Sequence, residues 1–300
     1  MKKTMIALAT LAAATASFAQ ANITGGVQFG YVKDNAGNKG FTSWGAYLDI
    51  TATEDLGGGM SVAAFMELNA DGTRGGGVYS GDRNLTLNTP VAALTFANSR
   101  SGGTNGAALV APVNLWDGSY GVGSASVITR KPVDAVVLSV PVAAGLKAVV
   151  RYVESDIDYY TTPGAATWAV GGSYSGNGLS VQGNFVSTTF TDGLKATLAA
   201  AGVTNPMTSS TELTVVYDAG VAKIGLGYDS ARRGKQDGKD EAATLLSVSA
   251  PVGPLAVGVN YGKRASASFY QLGAVYNLSK RTNISAAYGN ADSGTKATDE

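Results

Sequence analysis

From Ile23 onward the chain alternates apolar and polar residues with a period of two, in runs closed by glycine, proline or short polar turns. Ile23, Val27, Phe29 and Tyr31 share one phase; Thr24, Gly26, Gln28 and Gly30 share the other. Trp44, Ala46, Leu48, Ile50 and Ala52 then alternate with Gly45, Tyr47, Asp49, Thr51 and Thr53, and Met60, Val62, Ala64, Met66 and Leu68 repeat the pattern. It returns in Trp168/Val170/Tyr174, Leu179/Val181/Phe185, Leu213/Val215/Tyr217, Ile224/Leu226/Tyr228, Leu255/Val257/Val259/Tyr261, Leu272/Ala274/Tyr276 and Ile284/Ala286/Tyr288. A helix would scatter each set around its circumference, whereas a strand gathers it on one face. The runs are therefore predicted to be strands with one apolar and one polar face.

The connections alternate in length. Short ones fall at Asp55–Gly59, Thr89–Val91, Pro141–Gly145, Gly176–Gly178, Ala219–Val221, Pro251–Pro254 and Leu278–Arg281. Longer polar ones fall near Lys33–Thr42, Asn69–Asp82, Asn98–Ile128, Ser155–Ala166, Phe190–Ser210, Ala231–Glu241 and Lys263–Ser266. That arrangement predicts an all-β, antiparallel, up-and-down barrel in which short periplasmic turns alternate with longer extracellular loops. No run offers the ~20 consecutive apolar residues of a membrane helix, but a barrel wall needs only every second residue apolar to face lipid. Aromatics fit two interfacial girdles: Phe29, Tyr31, Trp44, Tyr152, Tyr228, Tyr261, Tyr270 and Tyr288 at the outer rim, Tyr174, Tyr217 and Tyr276 at the inner one.

Met1–Ala19 reads as an export signal, with basic Lys2 and Lys3, an apolar stretch from Met5 to Ala16 and the small-x-small site Ser17-Phe18-Ala19. The mature chain, Gln20–Glu300, is expected to be a single barrel domain in the outer membrane. Losing the two lysines lowers the basic count from 22 to 20 against 22 acids, a formal charge of −2 that argues against nucleic acid as a partner. Cysteine and histidine are both absent, which removes disulfides, Cys/His zinc sites, thiol nucleophiles and every triad that uses imidazole as its base. Neither an enzyme nor a cofactor is expected. The 40 glycines suit tight turns and kinked strands.

Three stretches carry a family resemblance: Thr53-Glu54-Asp55-Leu56-Gly57-Gly58-Gly59-Met60 at the first short turn, Arg83 opening a strand toward Thr89, and Tyr276-Asn277-Leu278-Ser279-Lys280-Arg281-Thr282 near the end. The chain resembles the general Gram-negative porins of β-proteobacterial type over nearly its whole length. The resemblance implies a trimeric, water-filled diffusion channel of 16 strands. About fifteen runs can be counted here, and since single-chain bacterial barrels have an even number, a last strand beyond polar Asp292–Glu300 is expected.

Function is expected to lie at the narrowest point. Asn98–Ile128, the longest early connection, occupies the place of the loop that folds inward in porins, and it carries Leu109, Val110, Val113, Leu115 and Trp116, apolar groups better hidden against a wall than left in water. Its one acid is Asp117. Lys147 and Arg151 share the inward phase of one strand, Asp49 and Glu67 face inward from early strands, and Arg83, Arg100, Arg130 and Lys131 lie near the loop's base or rim. These charges are the candidate constriction and lumen residues. Thr51 stands where many relatives carry a lumen arginine or lysine, so strong anion preference is not part of the expectation. Expected partners are outer-membrane lipid, lipopolysaccharide, two further copies of the chain, and ions or small hydrophilic solutes. The competing reading is a structural or adhesive barrel that anchors surface loops.

Overall fold

The computed structural model describes residues 20–33, 39–70, 78–101, 107–113, 131–154, 165–202, 206–233, 241–264 and 267–292. The expected export signal, Met1–Ala19, lies outside them. Fifteen strands lie among the described residues: β1 (Gln20–Lys33), β2 (Lys39–Gly57), β3 (Met60–Ala70), β4 (Val78–Asn88), β5 (Ala93–Ser101), β6 (Lys131–Ala143), β7 (Leu146–Glu154), β8 (Ala165–Gly176), β9 (Leu179–Phe190), β10 (Met207–Asp218), β11 (Lys223–Arg233), β12 (Glu241–Val252), β13 (Leu255–Arg264), β14 (Ala267–Asn277) and β15 (Asn283–Asp292). The chain divides into two compact units, Met1–Arg100 with Pro132–Val140 and Ser101–Lys131 with Pro141–Glu300.

In the first unit, β1 through β5 pair antiparallel in chain order. Ile23 lies opposite Ile50, Val27 opposite Ala46, and Tyr31 opposite Phe41, whose rings meet edge-on at 5.4 Å. These directly opposed side chains share a face, the apolar one. A register shift at Gln28/Phe29 swaps the phase of β2 between Phe41 and Ala46. β2 continues through Asp55 to Gly57, past where the sequence pattern placed the turn, and Gly57, Gly58 and Gly59 reverse the chain at φ of 77°, 62° and 77°. Such left-handed backbone is the province of glycine.

In the second unit, β7 to β9 and β9 to β15 likewise pair antiparallel in chain order. The β8–β9 hairpin turns on Asn177 and Gly178, both at positive φ (52° and 78°), the pair a right-twisted two-residue hairpin favours. The long connection after β9 is not the plain loop expected from sequence. It holds α1 (Asp192–Ala200), capped by Thr191, whose hydroxyl accepts the Leu194 N–H, with a Lys195–Asp192 pair at 2.9 Å across its first turn.

The burial pattern is inverted relative to a soluble protein. Side chains of one phase on β10–β14 are large, apolar and exposed: Leu213, Tyr217, Ile224, Leu226, Tyr228, Leu246, Val259, Tyr261, Tyr270 and Leu272. The other phase is buried and, apart from Leu245 and Phe269, small or polar, and the largest fully buried side chains are Gln271, Asn260, Asp229 and Ser247. In water this would expose the wrong face. In a membrane the apolar face meets acyl chains, and backbone groups are satisfied by the strand ladder. Several aromatics lie toward the strand ends. The Tyr152 and Trp168 rings meet at a tilt with centroids 4.7 Å apart and Tyr270 lies 6.2 Å from Tyr288 toward the long connections, while Tyr174, Tyr217 and Tyr276 border the short turns.

Candidate functional site

The polar face of β11–β14 is covered by the chain itself. Ala107 to Val113, part of the long connection between β5 and β6, crosses these four strands in order. The crossing follows one cross-strand row, Gly225–Ser247–Asn260–Gln271. Glycine opens the path. A Cβ on Gly225 would collide with the carbonyl oxygen of Ala108, one on Gly258 would stand 2.7 Å from Pro112 Cδ, and one on Gly273 would stand 3.1 Å from Val113 Cβ.

Polar side chains then pin the segment. Ser247 Oγ accepts the backbone N–H groups of Val110 (2.8 Å) and Ala111 (3.1 Å) while donating to Asn260 Oδ1. One hydroxyl thus spends its donor and both acceptor lone pairs in a single knot. Gln271 Nε2 donates to the carbonyl oxygen of Val113. Two residues further along their strands, at the next position on the same face, Leu245 and Phe269 interrupt the polar face, and Ala108 and Leu109 pack on them. The wall is therefore shaped to receive this segment, with an apolar seat for its first half and hydrogen bonds for its backbone.

Of the residues singled out from sequence, Leu109, Val110 and Val113 are brought onto the wall as expected. Leu115, Trp116, Asp117 and Arg130 lie outside the described residues. Arg100 falls at the end of β5 and Lys131 at the start of β6. Lys147 and Arg151 stand in the polar phase of β7, opposite Ser173 and Ala169, and their separation of four residues places them ~13 Å apart along the strand. In the first unit Asp49 lies directly opposite Glu67, both in the polar phase. Glu67 accepts Asn69 Nδ2 at 2.6 Å and the Asp82 N–H at 3.4 Å, in room left by Gly81.

Arg83 is placed differently from Glu67. It lies opposite Met66 and Asn98 and shares the phase of Leu85 and Leu87, so it belongs to the apolar face rather than the polar one. The physical reason is the alternation of β4 itself, in which Arg83, Leu85 and Leu87 stand two residues apart on one face; the extra residue of β4, between Met66 and Leu68 of its partner, lies beyond Arg83.

Sequence reasoning missed the wall. Ser247, Asn260 and Gln271 read as ordinary solvated strand residues, and the available signal was that glycine and small polar residues occupy one phase of four successive strands. It also missed the row beside them, where buried Glu212 and Asp229 face each other and Asn184 donates to Glu212 Oε2 at 3.4 Å. Outside the membrane-spanning strands, Asp192 is held below the usual carboxylate range by the hydrogen bond and charge of Lys195.

An antiparallel up-and-down sheet with an apolar outer face, carrying an inter-strand segment on its polar face, defines the class of outer-membrane channel proteins. A Gram-negative porin family model matches residues 5–296, and the chain belongs to that family. Solved structures with the same fold include an engineered variant of a porin of Rhodopseudomonas blastica, at 14% identity and a TM-score of 0.63 over 90% of this chain and 94% of that one. A loop-deletion variant of the Vibrio cholerae outer membrane protein OmpT is similar too, at 14% identity and a TM-score of 0.63, covering 91% and 94%. No curated protein sequence matches the chain. The chain is thus a porin of the outer membrane, and its family and fold are those of channels rather than enzymes.

Proposed function

We propose that the chain forms a water-filled channel through which ions and small hydrophilic solutes diffuse passively, selected by pore width and by the field of the wall charges. The observation that carries this reading is the segment Ala107–Val113 lying across the polar face of β11–β14, held by Ser247 and Gln271. A segment fixed on a polar wall narrows a passage without chemistry, and selectivity then follows from radius and from the groups that line it. Lys147 and Arg151 contribute positive field, Asp49 and Glu67 negative field, with Asp117, Arg100, Arg130 and Lys131 setting the balance at the loop and its base.

Export by cleavage after Ala19, assembly of three copies, and contact with lipopolysaccharide at the long connections belong to the same reading. Liposome swelling tests it. Vesicles holding the folded protein should swell in sugars of increasing size at rates that fall smoothly with solute radius and do not saturate. Absence of swelling from vesicles that contain folded, β-rich protein would instead support a barrel that anchors surface loops.

A further inference from the structure

Six of the seven short connections carry an exposed aliphatic side chain at or beside the turn: Leu56, Val91, Val142, Val221, Val252 and Leu278, with Val221 78% and Val91 72% exposed. The seventh, Asn177-Gly178, is polar. Tight turns ordinarily take glycine, proline and small polar residues, and a single exposed aliphatic needs no explanation. Six at the same end of successive hairpins form a pattern.

The apolar face ends differently toward its two sides. Toward the long connections it turns polar directly past the tyrosines: Tyr261 is followed in phase by Lys263, Tyr228 by Ser230 and Arg232, and Tyr288 by Asn290. Toward the short connections it stays apolar to the tip. Leu246, Val248 and Ala250 lead to Val252 at the end of β12, and Ala274 and Tyr276 lead to Leu278 just past β14.

Length sharpens the contrast. Leu255, directly opposite Val252, stands six residues from Tyr261 along β13. At about 3.4 Å per residue and a tilt of about 40°, six residues span ~16 Å of height, against an apolar band about 25 Å tall. With the tyrosines at one boundary of that band, the short turn stops inside the other.

We propose that the short turns are set into the adjoining phospholipid leaflet, with their aliphatic tips at the acyl boundary, rather than standing in the aqueous phase. Continuity identifies the occupant, since the tips prolong the face that meets acyl chains along the wall. Charge agrees with it. Lys280 and Arg281, both exposed beside Leu278, present cations to lipid phosphates from a turn seated at headgroup depth. The bilayer thins locally to meet a wall shorter than itself. The inference goes beyond the channel reading and does not depend on conduction.

The chain has no cysteine, so an introduced thiol is unique. One fluorophore is attached in turn at Val221→Cys, at Leu278→Cys, at Val257→Cys on the wall of β13 and at Lys263→Cys past the tyrosines. The folded protein is placed in dioleoyl-phosphatidylcholine vesicles with iodide on both sides. At Val221 and Leu278, as at Val257, quenching by a nitroxide on the upper acyl chain should exceed quenching by iodide several-fold, and at Lys263 the order should reverse. In thinner dilauroyl vesicles, iodide quenching should rise at both turns and stay low at Val257. Iodide quenching at the turns equal to that at Lys263 overturns the proposal, as does iodide quenching that is the same in the two lipids. Shielding of the turns from both quenchers overturns it too, because protein would then cover the tips. Strong iodide quenching at Val257 as well would sink the membrane reading itself, whereas wet turns beside a dry Val257 sink this inference alone.

Discussion

Ser247 on β12 donates its hydroxyl hydrogen to Asn260 on β13, directly opposite in the ladder, and both side chains are fully buried. Serine and asparagine buried on a strand face signal a polar surface with something seated on it. Here the backbone of Val110 and Ala111 completes the arrangement by donating to the same serine.

Removing that hydroxyl should loosen the seated segment without touching the sheet. Ser247→Ala leaves two backbone N–H groups and Asn260 Oδ1 short of a partner, at about 1–3 kcal/mol for each group left buried and unsatisfied. The segment should leave the wall for part of the time. Single-channel recordings should show a larger, noisier open conductance with unchanged β-sheet circular dichroism. Gly225→Val should act in the same direction and more strongly, because its side chain would occupy the place of the Ala108 carbonyl.

Wall charge should set ion preference. Lys147→Gln with Arg151→Gln should move the reversal potential in a KCl gradient toward potassium, and Asp49→Asn with Glu67→Gln should move it toward chloride. Both shifts should shrink in 1 M salt, where the screening length falls to about 3 Å.

The strand pattern was legible because burial on one side imposes a period of two, and register errors would invert every side chain. The face of Arg83 was legible too, since it stands two and four residues before Leu85 and Leu87, but its charge and its place near the loop's base put it among the expected lumen residues instead. The segment that docks was legible from its own apolar residues, Leu109, Val110 and Val113. Its seat was not, because Ser247, Asn260 and Gln271 come from three strands and only their register makes them neighbours. α1 escaped for a related reason. Nine residues with Leu194 as their one buried side chain make too weak a helical period to stand out in a polar connection.

The two faces should respond oppositely to one substitution. Leu272→Arg on the apolar face of β14 should cost about 2–4 kcal/mol of folding stability in the bilayer, near mid-depth. Ser173→Arg on the polar face of β8, next to Lys147, should leave folding nearly unchanged and alter conductance instead. Urea titration of both variants in lipid vesicles would measure the contrast.

The helix after β9 should depend on its cap and on pH. Thr191→Ala removes the acceptor for the Leu194 N–H and should weaken α1 by about 1 kcal/mol. Asp192, with its pKa lowered by Lys195, helps the helix above its unfolded value, and that help is lost as pH falls through the lower folded value. The protection factors of the α1 amides, corrected for intrinsic exchange, should therefore be steady near neutrality and fall only in acid, and Lys195→Met should flatten that dependence.

The most direct measurement is the current carried by the folded protein in a planar bilayer. Discrete, long-lived steps with an ohmic current–voltage relation, widened by Ser247→Ala, are the predicted result: an open passage whose width is set by the segment on the wall. A bilayer that stays silent although protease protection and circular dichroism show folded, inserted protein would contradict it.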